Sequence, residues 1–291
     1  MTFIWYDFEG FSMLLITGAT GVVGRETVRL LVERGAKVAA VTRDPHPGLP
    51  PGTELVHPAE VATLDGGVDG VLLSPRAAGP SAAGLLARAR ERGAGRVVVL
   101  SAMTVQYPAG PARFQQQFRT AEDLAKGSGL DWTILRCADF AANTLAWAGQ
   151  IRATGTVRGA YPQARTATVD ERDIAAVAAL ALTDPRHAGQ TYLLTGEQSL
   201  SQPEKVAALG AALGRTLSFA EAAPEEIRRD MLAAGLPDEV PDRLLGSLAD
   251  HAREAGPATD TVRRLLGRPA RTYAAWAADH RAAFTAAGGN R

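Results

Sequence analysis

The stretch Met13-Leu14-Leu15-Ile16-Thr17-Gly18-Ala19-Thr20-Gly21-Val22-Val23-Gly24 decides the fold of this chain. A short apolar run enters a turn punctuated by glycines, and a helical pattern follows through Val22, Val23, Thr27, Leu30 and Leu31. That order of elements suits a dinucleotide pyrophosphate. Gly18 permits the tight turn, Gly21 lets backbone approach a phosphate, and Gly24 lets the helix pack closely on its strand. The free N–H groups and the dipole of the helix N-terminus then face negative charge. Glycines at this spacing also arise by chance. The strand before, the helix after and a second strand at Lys37–Thr42 give the motif its weight.

Beyond this stretch, strand-like and helical segments alternate through the first half of the chain. This predicts an α/β fold, a Rossmann-type doubly wound parallel sheet with a small, mostly helical C-terminal lobe. Strands are expected at Leu14–Thr17, Lys37–Thr42, Thr53–Val56, Val68–Ser74, Arg96–Ser101 and Asp131–Arg136, with helices at Val22–Glu33, Ser81–Arg92 and Arg113–Lys126. Asp44–Gly52, with four prolines and two glycines, reads as a loop. Further on, a helix is expected at Ala141–Thr154, and Asp173 reads as the N-cap of Ile174–Leu182. A late strand is expected at Thr191–Thr195, then a helix at Gln202–Leu213, and from Pro224 the chain reads as helical. Tyr273, Trp276, His280 and Phe284 recur at helical spacing as one packed face. Residues 13–155 are the expected nucleotide-binding core, and 156–291 a cleft-forming region integrated with it. The aromatic and acidic segment 1–12 reads as a poorly ordered extension.

Composition narrows the function classes. With 31 basic and 31 acidic residues among 291, no global charge argues for nucleic acid or a membrane surface. No stretch approaches the roughly 20 apolar residues of a membrane span. The single cysteine, Cys137, allows no intramolecular disulfide and fits a reducing cytoplasm. The five histidines are scattered without metal-ligand spacing, so no metal site is expected. No Gly-x-Ser-x-Gly elbow is present to suggest a hydrolase.

The second strand discriminates between dinucleotides. An acidic residue at its end would clasp the ribose hydroxyls of NAD, and a basic one would receive the extra phosphate of NADP. Here the strand ends Thr42-Arg43. A guanidinium with the Thr42 hydroxyl suits a phosphate monoester, so NADP(H) is expected over NAD(H). Asp44 reads as a turn residue before Pro45. Cofactor contacts are expected from Gly18, Thr20, Gly21, Val22, Val23, Gly24, Thr42, Arg43, Ser74, Ser101 and Ala102.

Together these residues resemble the short-chain dehydrogenase/reductase superfamily, and within it the atypical branch of NmrA-like NAD(P)-binding proteins and quinone-reductase-like enzymes. The resemblance runs from Met13 to about Phe284. It rests on the glycine loop, on Thr120-Ala121-Glu122, and on Ser128 through Arg136. It is supported by Phe140 with Asn143, by Asp170 through Ala175, by Tyr192 through Gly196, and by Gly267 through Trp276. The superfamily's usual catalytic Tyr and Lys, four residues apart, are missing: counting back from Glu122, those positions fall on Phe114 and Phe118. Two phenylalanines transfer no proton.

Hydride transfer is the cofactor's chemistry, and the protein must place a substrate and exclude water. A quinone or extended conjugated carbonyl delocalises the resulting anion, so a dedicated acid matters less. Ser101, where the resemblance places a substrate-orienting hydroxyl, and Tyr107, in the following loop, are the candidate catalytic groups; a satisfied strand-end serine and a pocket wall are the alternatives. Phe114, Phe118, Cys137, Phe140, Asn143 and Trp147 are candidates to line an apolar substrate pocket. Cys137 reads as a buried, inert thiol. The leading expectation is a reductase of a small hydrophobic carbonyl, quinone or aromatic polyketide-like substrate. A redox-sensing NADP(H)-binding regulator and an isomerase or epimerase stay open, as do substrate identity and oligomeric state.

Overall fold

A computed structural model gives the structure of the protein and describes residues 13–61 and 66–285. The expected 1–12 extension lies outside the described residues, as do residues 62–65 and 286–291. The chain runs β1 (Leu14–Thr17), α1 (Val22–Glu33), β2 (Val38–Val41), β3 (Thr53–Val56) and β4 (Gly70–Leu73). It continues α2 (Pro75–Ala78), α3 (Ala82–Glu91), β5 (Arg96–Ala102), α4 (Ala112–Gly127), β6 (Asp131–Cys137), α5 (Ala148–Thr154), β7 (Thr156–Gly159) and β8 (Arg165–Thr166). Next come α6 (Glu171–Thr183), β9 (Gln190–Leu194), β10 (Leu200–Ser201), α7 (Gln202–Leu213) and β11 (Ser218–Glu221). Helices α8 (Pro224–Ala233), α9 (Glu239–Arg253), α10 (Thr261–Leu266), α11 (Tyr273–Asp279) and α12 (Arg281–Thr285) complete the described chain.

Among the described residues, seven strands form one sheet in the order β3-β2-β1-β4-β5-β6-β9. Every pairing in it is parallel. This is the doubly wound α/β fold that the alternating pattern predicts. Both faces are covered, which is why the central strands are continuous apolar runs. Leu14 and Ile16 point to one side, against Val28 and Leu31 of α1 and Ile174 and Ala178 of α6. Leu15, with Val71 and Leu73, points to the other, against Leu86 of α3 and Ala125 of α4. Strand order reverses between β1 and β4, and such a switch opens a crevice outside the strands' carboxyl ends. Thr17 ties the two strands there: its hydroxyl donates to the Leu72 carbonyl (2.9 Å) and accepts from the Ser74 amide (2.7 Å).

Three local expectations are corrected. The cap of α6 is Asp170, whose carboxylate accepts the Arg172 N–H at 2.9 Å, and not Asp173. Asp173 lies inside the first turn and serves the C-terminal segment, accepting from the Arg271 amide and pairing with Arg268, both at 2.7 Å. The segment Ala141–Thr154 is a 3₁₀ stretch to Trp147 followed by α5. Thr144 bonds back to the Ala141 carbonyl at 2.7 Å, tightening that turn. The last helix is two, α11 and α12, broken at His280. Its predicted face still packs: Trp276 and Phe284 are fully buried, and His280 stacks on Trp276 at 4.4 Å.

Two small additions shape the lobe. β7 pairs in parallel with β11, and β8 pairs antiparallel with β10. The latter pair sets Thr166 beside the start of α7.

Candidate active site

The glycine loop meets its three structural demands. Gly18 adopts φ +68°, and a Cβ on it would press Ser74 at 3.0 Å. A Cβ on Gly24 would lie 2.1 Å from the Gly18 carbonyl oxygen, so only glycine lets α1 start this close to β1. At Gly21 a Cβ would touch only the Gly18 oxygen, at 3.3 Å. The fold leaves that side open, and it faces the cleft. No side chain caps α1 and no acidic residue occupies its first turn. Its orphan N–H groups therefore stay available to an anion. A dinucleotide pyrophosphate fits these residues.

From the loop a cleft of about 330 Å³ runs over the ends of β4, β5 and β6. Gly18, Gly21, Val22, Val23, Gly24, Ser74, Ser101 and Ala102 line it at one end, and Phe114, Phe118, Cys137, Phe140 and Asn143 at the other. Phe114 and Phe118 meet edge to face with centroids 5.0 Å apart. The two positions onto which the resemblance maps Tyr and Lys thus face the cleft as an apolar wall. Burial pushes the Cys137 thiol far up, and it donates to the Leu135 carbonyl, as suits an inert group.

Other expected contacts fall elsewhere. Thr20 is exposed and does not line the cleft. Trp147 packs instead beside Ile151 and Val157 in the lobe's own core. Tyr107 is 41% exposed and is not among the cleft walls. Its amide bonds back to the Met103 carbonyl in a tight turn, which carries the ring outward. Ser101 is in the wall, but its hydroxyl donates to Glu122 at 2.6 Å. Burial pushes the Glu122 carboxyl up, yet bonds from Arg136 and Ser101 outweigh it and hold the group below its usual range. Ser101 has spent its proton on that carboxylate.

Thr42 and Arg43 stand beyond the end of β2, outside the cleft walls. Asp44 is a turn residue as read: its amide donates to Thr42 Oγ1 (3.0 Å) and its carboxylate accepts the His46 amide (2.9 Å). Arg25 fastens the following loop through the carbonyls of Pro47 and Gly48.

Sequence reasoning missed several cleft residues. Helix α9 roofs the cleft with Arg243, Leu244, Ser247, Leu248 and His251. Arg76, from α2, lines it as well. Arg243 lies over the Phe114 ring at 5.0 Å. Burial, and then the like charge of Arg76, lower its pKa, while Asp139 and Glu239 pull the other way. Neither arginine forms an ion pair among the described residues. Asp139 and Thr166 also line the cleft. Among the described residues no cluster of His, Cys, Asp or Glu is arranged to hold a metal ion. Among the described residues no helix is long and apolar enough to cross a membrane.

An uncapped glycine loop at the crossover crevice, opening into an apolar cleft, defines a nicotinamide-dinucleotide-binding α/β protein. The NAD(P)H-binding family matches residues 18–185, and the chain belongs to it. With relatives at 34–38% identity named as reductases, it belongs with the NAD(P)H-dependent reductases. It is 38% identical to a (4-alkanoyl-5-oxo-2,5-dihydrofuran-3-yl)methyl phosphate reductase of Streptomyces griseus, over 94% of this chain and 99% of the relative. An NAD(P)H azoreductase of Xenophilus azovorans is 34% identical over 94% of this chain and all of the relative (100%). The NADPH-dependent quinone oxidoreductase of Escherichia coli, solved with NADPH, superposes with a TM-score of 0.78 at 22% identity, over 92% of this chain and 99% of the other. That likeness concerns the fold.

Proposed function

We propose that the protein uses NADPH in preference to NADH to reduce a small conjugated acceptor: a quinone, an aromatic polyketide-like carbonyl or an unsaturated lactone. The observation that carries this reading is the apolar wall of Phe114, Phe118 and Phe140, continuous with the nucleotide loop through Ser101 and Ala102. A flat ligand is held there by apolar contact, with Asn143 as a polar handle. Ser101 is committed to Glu122 and Tyr107 is turned outward, so the site suits acceptors whose anion is delocalised. The nicotinamide supplies the hydride when bound. Arg43, exposed and without an ion pair among the described residues, supports the preference for the extra phosphate of NADP.

Arg76 and Arg243 add a requirement at the cleft wall. Two cations without ion pairs among the described residues, facing one cleft, favour a substrate with an anionic end, such as the phosphate ester in the name of the Streptomyces relative. NADPH oxidation, followed spectrophotometrically across quinones, polycyclic ketones and unsaturated lactones with and without a phosphate, tests the reading. Turnover of conjugated acceptors supports it. Tight NADPH binding with silence on every acceptor would return the protein to a sensing role.

A further inference from the structure

Lys205 is one of only three lysines in the chain, at Lys37, Lys126 and Lys205. It is 4% exposed, on the first turns of α7. A buried ammonium is costly unless its charge is met. Among the described residues it is met from the cleft side: Nζ donates to Thr166 Oγ1 at 2.7 Å and stands 3.7 Å from Asp139 Oδ2. Both partners line the cleft, and Lys205 does not. Asp139 Oδ1 in turn accepts from Asn143 Nδ2 at 2.5 Å, so one connected network joins the buried lysine to the substrate's polar handle.

We propose that Lys205 positions and supplies, through Thr166, the proton that the reduced substrate takes up, in place of the missing Tyr and Lys. The inference rests on the reductase reading above. Reduction of a conjugated carbonyl leaves an enolate or phenolate oxygen. The Thr166 hydroxyl accepts from Lys205, and its other neighbour is the Thr168 hydroxyl at a long 3.5 Å, so its own hydrogen can turn from that weak contact to the substrate oxygen. In the transfer the Thr166 O–H bond breaks as the substrate O–H bond forms. The Lys205 N–H bond breaks as the Thr166 hydroxyl is restored. Lys205 is left a neutral amine and regains a proton from solvent by way of Asp139, whose side chain is 37% exposed. The sum is one proton from water for each hydride delivered.

The surroundings suit the role. Burial lowers the Lys205 pKa and Asp139 offsets that only in part, so the ammonium gives its proton more readily than a surface lysine. Glu204, its neighbour on α7, is occupied by the Ser201 amide and Arg165. Tyr273, on the helix packed against α7, gives its hydroxyl to Thr144. From α9, Arg243 and His251 face the same cleft. Asp139 is therefore the carboxylate that faces Lys205.

The test compares wild type with Lys205→Met, Lys205→Arg and Thr166→Val. NADPH affinity is read by fluorescence, and kcat and KM by NADPH oxidation with an enone and with a benzoquinone across pH 6 to 10. In cofactor-free protein the Lys205 Nζ is titrated by NMR. Lys205→Met and Thr166→Val are expected to lose about 10²-fold in kcat with the enone and far less with the quinone, at unchanged NADPH affinity. The double variant is expected to be no worse than either single one. The basic limb of the wild-type pH profile disappears in Lys205→Met and moves upward in Lys205→Arg, and the wild-type Nζ titrates below an ordinary lysine. Should Lys205→Met fail to fold, Thr166→Val gives the same reading. A basic limb that survives in Lys205→Met or Thr166→Val overturns the relay alone. So do equal losses on both acceptors, or an Nζ that titrates like a surface lysine. A wild type silent on every acceptor overturns the reductase reading with it.

Discussion

Arg136 grips Glu122 with two parallel hydrogen bonds, Nε to Oε1 at 2.9 Å and Nη2 to Oε2 at 2.7 Å, behind the cleft wall. The carboxylate side chain is 2% exposed and the guanidinium 18%. Removing one partner of a buried pair strands the other, so Arg136→Met should cost about 3–5 kcal/mol in urea unfolding. The sign with pH follows from the lowered Glu122 pKa. Its stabilisation is present above the ordinary carboxylate range and is lost as pH falls through the folded value. The wild type should therefore soften in acid more steeply than Arg136→Met. Parallel acid profiles would show the pair to be inert.

Ser101→Ala separates support from chemistry. The hydroxyl donates to a buried carboxylate, a bond worth roughly 1.5–3 kcal/mol. The variant should melt earlier and keep its kcat within a few-fold at a temperature where it is folded. A kcat loss of about 10²-fold or more, with stability intact, would make Ser101 a group that acts on substrate.

Gly24 and Gly21 should fail in different ways. Gly24→Ala forces a methyl into the Gly18 carbonyl, and should lose both stability and NADPH binding. Gly21→Ala meets little protein, and should melt close to wild type while binding NADPH at least about tenfold more weakly, because its methyl occupies space the phosphate needs. Retained affinity in Gly21→Ala would remove the phosphate from that spot.

Arg43→Ala should weaken NADPH by about 10–100-fold, the value of a charge-assisted contact of roughly 1.5–3 kcal/mol, and leave NADH nearly unchanged. Asp44→Asn should leave both affinities alone, because the Asp44 carboxylate serves the His46 amide. Equal loss of both nucleotides in Arg43→Ala, measured by fluorescence titration, would overturn the NADPH preference.

The sheet and the nucleotide loop were legible because they depend on local chemistry: apolar runs, and glycines where a side chain collides with backbone. The cap of α6 was misread by three residues because Asp170 and Asp173 both precede the same apolar run, and only the folded C-terminal segment claims the second. Strands as short as Arg165–Thr166 and Leu200–Ser201 fall below any periodic signal, so Thr166 was not placed in the cleft. Arg243 and Lys205 were missed for one reason. A charged residue on an amphipathic helix looks the same in sequence whether it meets solvent or a cleft, and long-range topology decides which.

Arg243→Met tests what that topology did. The substitution keeps much of the apolar contact with Phe114 and removes the charge that faces Arg76. If the pair holds an anionic end of the substrate, KM for a phosphorylated acceptor should rise about tenfold or more, the worth of one charge-assisted hydrogen bond, and KM for its uncharged counterpart should hold or fall. The advantage of the phosphorylated acceptor in the wild type should also shrink with added salt, because a cleft open to solvent is screened. A rise in the KM for NADPH instead would assign Arg243 to the cofactor's own phosphates, since Arg76 follows directly on the Ser74-Pro75 turn that packs against Gly18. Unchanged constants for every ligand would leave the two cations without an anion to serve.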